Sequence, residues 1–423
     1  MTKSQFREFL FGAKHLTGLL VAAATVAVLL FMQVGAVGQE VGAVGQNSVS
    51  ALPLTQQAPG YNPTTPAKVE LGRLLFWDPL LSGPQDVACA TCHHPQNGYA
   101  EDRDLSLGVS GTGRGRFRRD GKLVKRNSPT VLNVAFNGID ESGRYDPTTA
   151  VAFWDNRIRS LESQALEPLK SFEEMRGDTY PEDEALASVV AKLQANAEYQ
   201  SLFAEAFGSE QPVTAENLGR AIAAFMRSLL ANNAPFDRYM RGDQSAMTQE
   251  QVRGMQRFED NGCIRCHNGP MFSDYKLHVM GVPDNPALAS GATTPASDGG
   301  AQSPPCAAAP GEPRTDASRA ACDSYAFRTA SLRNLELTFP YGHNGMFRTL
   351  NAVVGFYEST IAGESRNPNV PYEELDQRLR ELQNVDEEDV DLIEFLIALS
   401  DGSFDRTIPE RVPSGLPVGG NIQ

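Results

Sequence analysis

Apolar residues recur with the helical period at several places along this chain. Leu186, Val189, Val190 and Leu193 fall at i, i+3, i+4 and i+7. Leu218, Ile222, Phe225 and Leu229 form a second stripe behind Thr214, a hydroxyl suited to capping a helix start. Leu350, Val353, Val354 and Tyr357 share one face behind Thr349. Val390, Ile393 and Ile397 make a last face, with Gly402 as its stop. Thr248 and Gln251 have the spacing of a capping box. Alternating runs of the kind that make strands are scarce. The chain therefore reads as mostly α, with long loops between its helices.

One apolar run has a different meaning. Leu16 to about Val37 is nearly uninterrupted and follows Lys3, Arg7 and Lys14. Basic residues before an apolar core make an export leader, and the run is also near the length that a bilayer requires. Residues 1–45 thus read as a signal peptide or as an uncleaved membrane anchor. On either reading the rest of the chain works outside the cytoplasm, in the periplasm.

The formal charge of −15 excludes nucleic acid as a partner, because most of the surface would repel it. Arg114, Arg116, Arg118, Arg119, Lys122, Lys125 and Arg126 are a local exception. They read as a solvated basic loop, with docking of an acidic partner as the other reading.

The chemistry enters with two copies of C-x-x-C-H, at Cys89, Cys92 and His93 and at Cys263, Cys266 and His267. A single copy also fits half a zinc site or a thiol redox pair. Two intact copies behind an export signal point to two covalently bound c-type haems, each iron taking the His from one side. The motifs lie 174 residues apart, enough for each to own a cytochrome-c-like domain, 46–240 and 241–408, with 409–423 as a tail. The remaining cysteines, Cys306 and Cys322, fall in 284–324, a stretch rich in Gly, Ala, Ser and Pro that reads as a surface insertion. An oxidising compartment permits a disulfide between them. Two free thiols are the other reading.

What lies on the far side of each iron decides the function. Between Gln96 and Gly113 there is neither His nor Met, so nothing local closes the first iron against peroxide or oxygen.

At this point the chain resembles the bacterial dihaem cytochrome c peroxidase/MauG family. The resemblance runs from about Thr65 to Ser400 and rests on motifs in order. Besides the two haem motifs they are Arg-Asn-Ser-Pro-Thr-Val-Leu-Asn at 126–133, Phe-Trp-Asp-Asn-Arg at 153–157, Ser-Leu-Glu-Ser-Gln-Ala-Leu-Glu-Pro-Leu at 160–169 and Ser-Leu-Arg-Asn-Leu-Glu-Leu-Thr-Phe-Pro-Tyr-Gly-His-Asn-Gly at 331–345. Many of the peroxidases carry a loop His where this chain reads Leu-Gly-Val-Ser-Gly at 107–111, and a Met fourteen residues after the His that His343 matches. That second position is Tyr357 here, the residue type of the MauG branch. Read from its helix alone, Tyr357 is a core tyrosine; the resemblance implies instead a ligand of the second haem iron, with Met346 as the rival donor.

The resemblance also implies roles for other residues. Glu174 matches the acid–base glutamate of the peroxide pocket, Gln164 its glutamine and Pro168 the proline that crowds it. Trp154 matches the tryptophan between the haems, and Asn127, Thr338 and Pro340 match the ligands of a calcium ion. His343 would stand beside the second haem without touching its iron. Asn261 occupies the place of MauG's docking-surface tryptophan, which puts that branch's partner in doubt. The expected activity is hydrogen-peroxide-dependent oxidation of an external protein donor or substrate: a small cytochrome, a cupredoxin or an enzyme precursor. An ordinary dihaem peroxidase is the alternative, and a dihaem electron carrier or sensor a further one.

Overall fold

In the computed structural model, residues 48–208, 210–290, 298–301 and 325–422 are described. The leader or anchor at 1–45 and the cysteines Cys306 and Cys322 lie outside them. Gln46–Gln423 forms one compact body, helix-rich with long loops between the helices. Among the described residues the strands are two short antiparallel pairs, Val151–Ala152 with Ile158–Arg159 and Leu277–Val279 with Ala326–Arg328. No described helix is long and apolar enough to cross a membrane.

Two hydrophobic cores divide this body. In the first, the Ala215–Ser228 helix starts at Thr214, whose hydroxyl accepts from the Asn217 amide. It buries Leu218, Ile222 and Phe225 against Leu71, Leu75 and Phe76 of the Pro66–Trp77 helix. The Ala185–Gln194 helix adds Val189 and Leu193. In the second core, the Gln249–Asp260 helix carries the Thr248–Gln251 capping box and leads straight into the second haem motif. It packs so closely on the Val390–Ile397 helix that a Cβ on Gly254 would lie 1.9 Å from the Asp391 carbonyl oxygen. The chain does not keep the cores separate in sequence. Val49 belongs to the second, whereas Phe404 and Val412 return to the first.

Three sequence expectations are corrected. The last helix does not centre its buried face on Val390, Ile393 and Ile397; Val390 is 67% exposed, Ile393 and Ile397 are partly buried against the core, and the fully buried residues are Leu392, Phe395 and Leu396. Phe395 decides the rotation because its ring meets those of Phe236, Phe258 and Phe272 at 5.4–6.0 Å, and a large aromatic outweighs the aliphatic pattern. The helix also ends at Ile397, before Gly402. The basic stretch is not simply solvated. Arg118 is 1% exposed and donates to the carbonyls of Leu107, Gly108 and Gly113, while Arg126 is buried between carboxylates. Nor is 284–324 wholly a surface loop, since Asn285, Leu288 and Asp298 are buried.

The 409–423 segment packs against the first haem motif. Thr91 Oγ1 donates to the Gly419 carbonyl at 2.9 Å, and the Gly419 amide donates to the Trp77 carbonyl at 2.8 Å.

Truncating Phe395 to Ala is expected to destabilise the protein by about 3–5 kcal/mol, whereas Val390→Ala on the exposed face stays within about 0.5 kcal/mol. Urea unfolding of the two variants checks the rotation of this helix.

Candidate haem and peroxide site

Both motifs open onto one cavity. Cys89, Cys92 and His93 reach it from the short Cys89–Cys92 helix, and Cys263, Cys266 and His267 from a single 3-10 turn, Cys263–Arg265. The four thiols are unpaired. His93 Nδ1 lies 3.1 Å from the Tyr99 carbonyl, and His267 Nδ1 lies 2.9 Å from the Phe272 carbonyl. A carbonyl can only accept, so Nδ1 carries the proton in both rings and Nε2 keeps its lone pair. Burial lowers both imidazoles below their ordinary range, holding them neutral. Each set therefore offers two thiols and a metal-ready nitrogen, and the donor chemistry fits a c-type haem. Arg157, Arg265, Arg328 and Arg333 also line the cavity, and Arg328 Nε is buried without a partner. Such cations suit the carboxylates of two haems.

Gln164, Pro168, Glu174 and Trp154 all line this cavity. Glu174 is aimed there by local backbone. The Glu167–Lys170 helix carries Pro168 in its first turn and runs into a π-helical turn, Phe172–Arg176, capped by Ser171 through the Glu174 amide. The 107–111 segment supports that turn, since Val109 donates to the Glu173 carbonyl at 3.1 Å. Gly108 is needed there, because a Cβ would fall 1.9 Å from the Glu173 carbonyl oxygen. Burial is the largest influence on Glu174, followed by Arg157, which lowers it, and then by repulsion from Glu173 and Glu167, which raises it. Its carboxyl is pushed up to about 7.

Tyr357, Thr338, Pro340, Asn127 and His343 line the same cavity, whereas Met346 is not among its lining residues. Tyr357 lies on the Leu350–Ile361 helix, capped by Thr349 as its sequence pattern implies. Burial chiefly, then the sulfurs of Cys263 and Cys266, raise its phenol above the ordinary range, so it needs a cation at its oxygen to ionise. Trp154 donates its indole N–H to the Asn127 carbonyl at 3.0 Å. It meets the His343 ring edge-on at 6.5 Å. Burial pushes His343 down to about 3.

Reading the motifs did not reveal several neighbours. Phe327 stacks on His343 at 3.6 Å. His278, beside the second motif, lies between Asp274 and Asp376 at 3.1 and 2.7 Å. The spacing of Asp274 and His278 was the only sequence signal; Asp376 joins them from 98 residues away.

A helix-rich body wrapped around a cavity that carries two thiol–thiol–imidazole sets defines a protein built to hold two haems. Residues 66–245 match the family model described as di-haem cytochrome c peroxidase. The chain is 33% identical over 354 residues to methylamine utilization protein MauG of Methylorubrum extorquens, covering 83% of each chain. It is 31% identical over 308 residues to cytochrome c551 peroxidase of Pseudomonas aeruginosa, covering 73% of this chain and 76% of that one. The fold is similar to that of a MauG-like protein associated with microbial copper homeostasis, with TM-score 0.62, 24% identity and coverage of 83% and 95%. It is similar also to the diheme peroxidase BthA of Burkholderia thailandensis, with TM-score 0.60, 23% identity and coverage of 84% and 90%. The chain belongs to the di-haem cytochrome c peroxidase family and is a dihaem peroxidase-type oxidoreductase.

Glu174 has a stability signature. Its folded-state carboxyl is raised above the free value, so the stability this proton confers is complete below about pH 4 and disappears as pH rises through about 7. Glu174→Gln cannot ionise. From about pH 5 to about pH 8 the variant is expected to gain about 1–3 kcal/mol relative to wild type, read from urea unfolding at the two pH values.

Proposed function

We propose that this chain is a periplasmic, hydrogen-peroxide-dependent oxidoreductase of the MauG type, which oxidises an external protein donor or protein substrate. The observation that carries this reading is one shared cavity, with an acid held near neutrality at the first motif and Tyr357 beside the second.

Two c-type haems, attached at Cys89 and Cys92 and at Cys263 and Cys266, supply iron that takes up the oxidising equivalents of peroxide. The other contributions come from the chain. Glu174, with its carboxyl near 7, takes one proton from peroxide and returns it to the leaving oxygen, work that suits a group half ionised at working pH. Gln164 orients the bound oxygens by hydrogen bonding, and Pro168 narrows the space around them. Trp154 passes electrons between the two haem sites. Tyr357 holds the second iron together with His267, and a hard phenolate there favours ferric and higher states over ferrous. Asn127, Thr338 and Pro340 hold a calcium ion. In support, the Asn127 side-chain amide donates to the Arg103 carbonyl at 2.9 Å, which leaves its oxygen for a cation. The haem domains are 46–240 and 241–408, exchanging a few core residues such as Val49 and Phe404, and residues 1–45 direct export or anchor the chain.

A second reading, an ordinary peroxidase fed by a small cytochrome or cupredoxin, is favoured by one observation. Asn261, where the MauG branch has its docking tryptophan, is buried and cannot serve as a docking surface without rearrangement.

Electron paramagnetic resonance of the oxidised resting protein tests the ligand assignment. One high-spin and one low-spin centre are expected; two low-spin centres, neither of which opens on reduction, would reject an open peroxide site. Tyr357→Phe should alter the low-spin centre alone, and Met346→Leu neither. An unchanged spectrum in Tyr357→Phe removes that residue as a ligand. Glu174→Gln should slow the reaction with peroxide by about 100-fold or more, measured by stopped flow. Peroxide without donor is expected to leave a long-lived state with both haems altered, whereas rapid change at one haem alone favours the ordinary peroxidase.

A further inference from the structure

Asp298 belongs to the stretch that reads as a surface insertion, yet it is only 3% exposed. Its carboxylate accepts from Arg126 twice, from Nε–H and from Nη2–H. The other arm of the same guanidinium, Nη1, donates to Asp155 at 2.7 Å, and Asp155 also pairs with Arg157 at 2.8 Å. Lys125, with its side chain largely exposed, stands 3.6 Å from Asp298.

This ion cluster lies against aromatic groups that line the shared cavity, Phe327, His343 and Trp154. Arg126 sits over the Phe327 ring at 5.4 Å, Phe327 stacks on His343, and His343 meets Trp154. Asn127, next to Arg126 in sequence, supplies the carbonyl that accepts the indole N–H. An amide carbonyl is far too weak a base to remove that proton. If Trp154 loses an electron, the indole therefore keeps its proton and holds a full positive charge. The charges nearby then decide how easily the electron leaves. His343, kept neutral by burial, adds none.

We propose that Asp298 sets the charge around Trp154, neutralising Arg126 so that the indole can hold a positive charge between the two haem sites. This rests on Trp154 acting as the relay. In the step, Trp154 gives one electron towards the His93 site and regains one from the His267 site. Its N–H stays in place, and no bond is made or broken. Asp155 cannot replace Asp298, because Arg157 already shares it. Without Asp298 the Arg126 guanidinium is left under-compensated beside the relay, joined by Lys125, and like charge opposes the oxidised indole. Asp298 touches no reacting group and acts as a positioning and charge-setting residue.

The test uses full-length holoprotein treated with peroxide in the absence of donor, with the oxidised state followed by optical and paramagnetic resonance spectroscopy. Asp298→Asn is expected to shorten the lifetime of that state about tenfold, with resting spectra unchanged. The double variant Asp298→Asn/Arg126→Gln, which removes one charge of each sign, should restore most of it. Lys125→Gln, a change at an exposed side chain, should lengthen it. A wild-type lifetime in Asp298→Asn overturns the proposal. So does a double variant as impaired as the single one, since a purely structural role would give that result. Should Asp298→Asn fail to fold, a lifetime shortened by Lys125→Gln overturns it as well. Trp154→Phe separates the two claims. If that variant leaves the oxidised state unaltered, the relay reading falls. If it abolishes the state while Asp298→Asn changes nothing, only the role of Asp298 falls.

Discussion

A hydrogen bond from the imidazole of each C-x-x-C-H motif to a backbone carbonyl underlies the whole site. His93 donates to Tyr99 and His267 to Phe272, which fixes the ring tautomer and leaves Nε2 as the only nitrogen able to meet iron. Both carbonyls lie a few residues downstream of their motifs, in tight turns. The turns are in turn held by the cores. Tyr99 is buried against Phe76 and Phe404, and Phe272 sits among Phe236, Phe258 and Phe395. Each core thus orients one imidazole nitrogen that is free to meet a metal, through the residue that supplies the carbonyl.

Burial has different consequences for the groups around these ligands. It raises Glu174 to about 7 and lowers His343 to about 3. In both cases the neutral form is favoured, because a dry wall penalises charge of either sign. For Glu174 the result is an acid poised near working pH; for His343 it is a ring that stays uncharged beside Trp154. Arg126 keeps its charge there by pairing with both Asp155 and Asp298. An unpaired guanidinium at that depth would be costly.

The helical core was largely legible from the order of residues. Val189 and Leu193 are buried as the period predicts, and so are Leu218, Ile222 and Phe225. Thr214, Thr248 and Thr349 cap the helices they precede. The last helix was misread because it has two apolar faces, and the sequence holds no record of which one meets Phe258 and Phe272. Arg118 was misread for a related reason. Lys and Arg are usually solvated, and the carbonyls that satisfy Arg118 belong to backbone, which carries no sequence signature. The stretch at 284–324 looked superficial by composition, yet Asp298 reaches Arg126 across 172 residues.

The two thiol–thiol–imidazole sets follow from local chemistry, since two thiols and an imidazole at fixed spacing are contiguous in the chain. Spacing of that kind survives any fold, and so the sequence by itself determined which two sets of side chains the chain offers to two haems. Whether Glu174 is a surface acid or a cavity-lining one with a raised carboxyl, and whether Asp298 is a loop residue or a buried counter-ion, depends on what lies within a few ångströms. Burial and electrostatic pairing are properties of neighbours distant in sequence. Those neighbours are chosen by packing, and only the tertiary structure decided them.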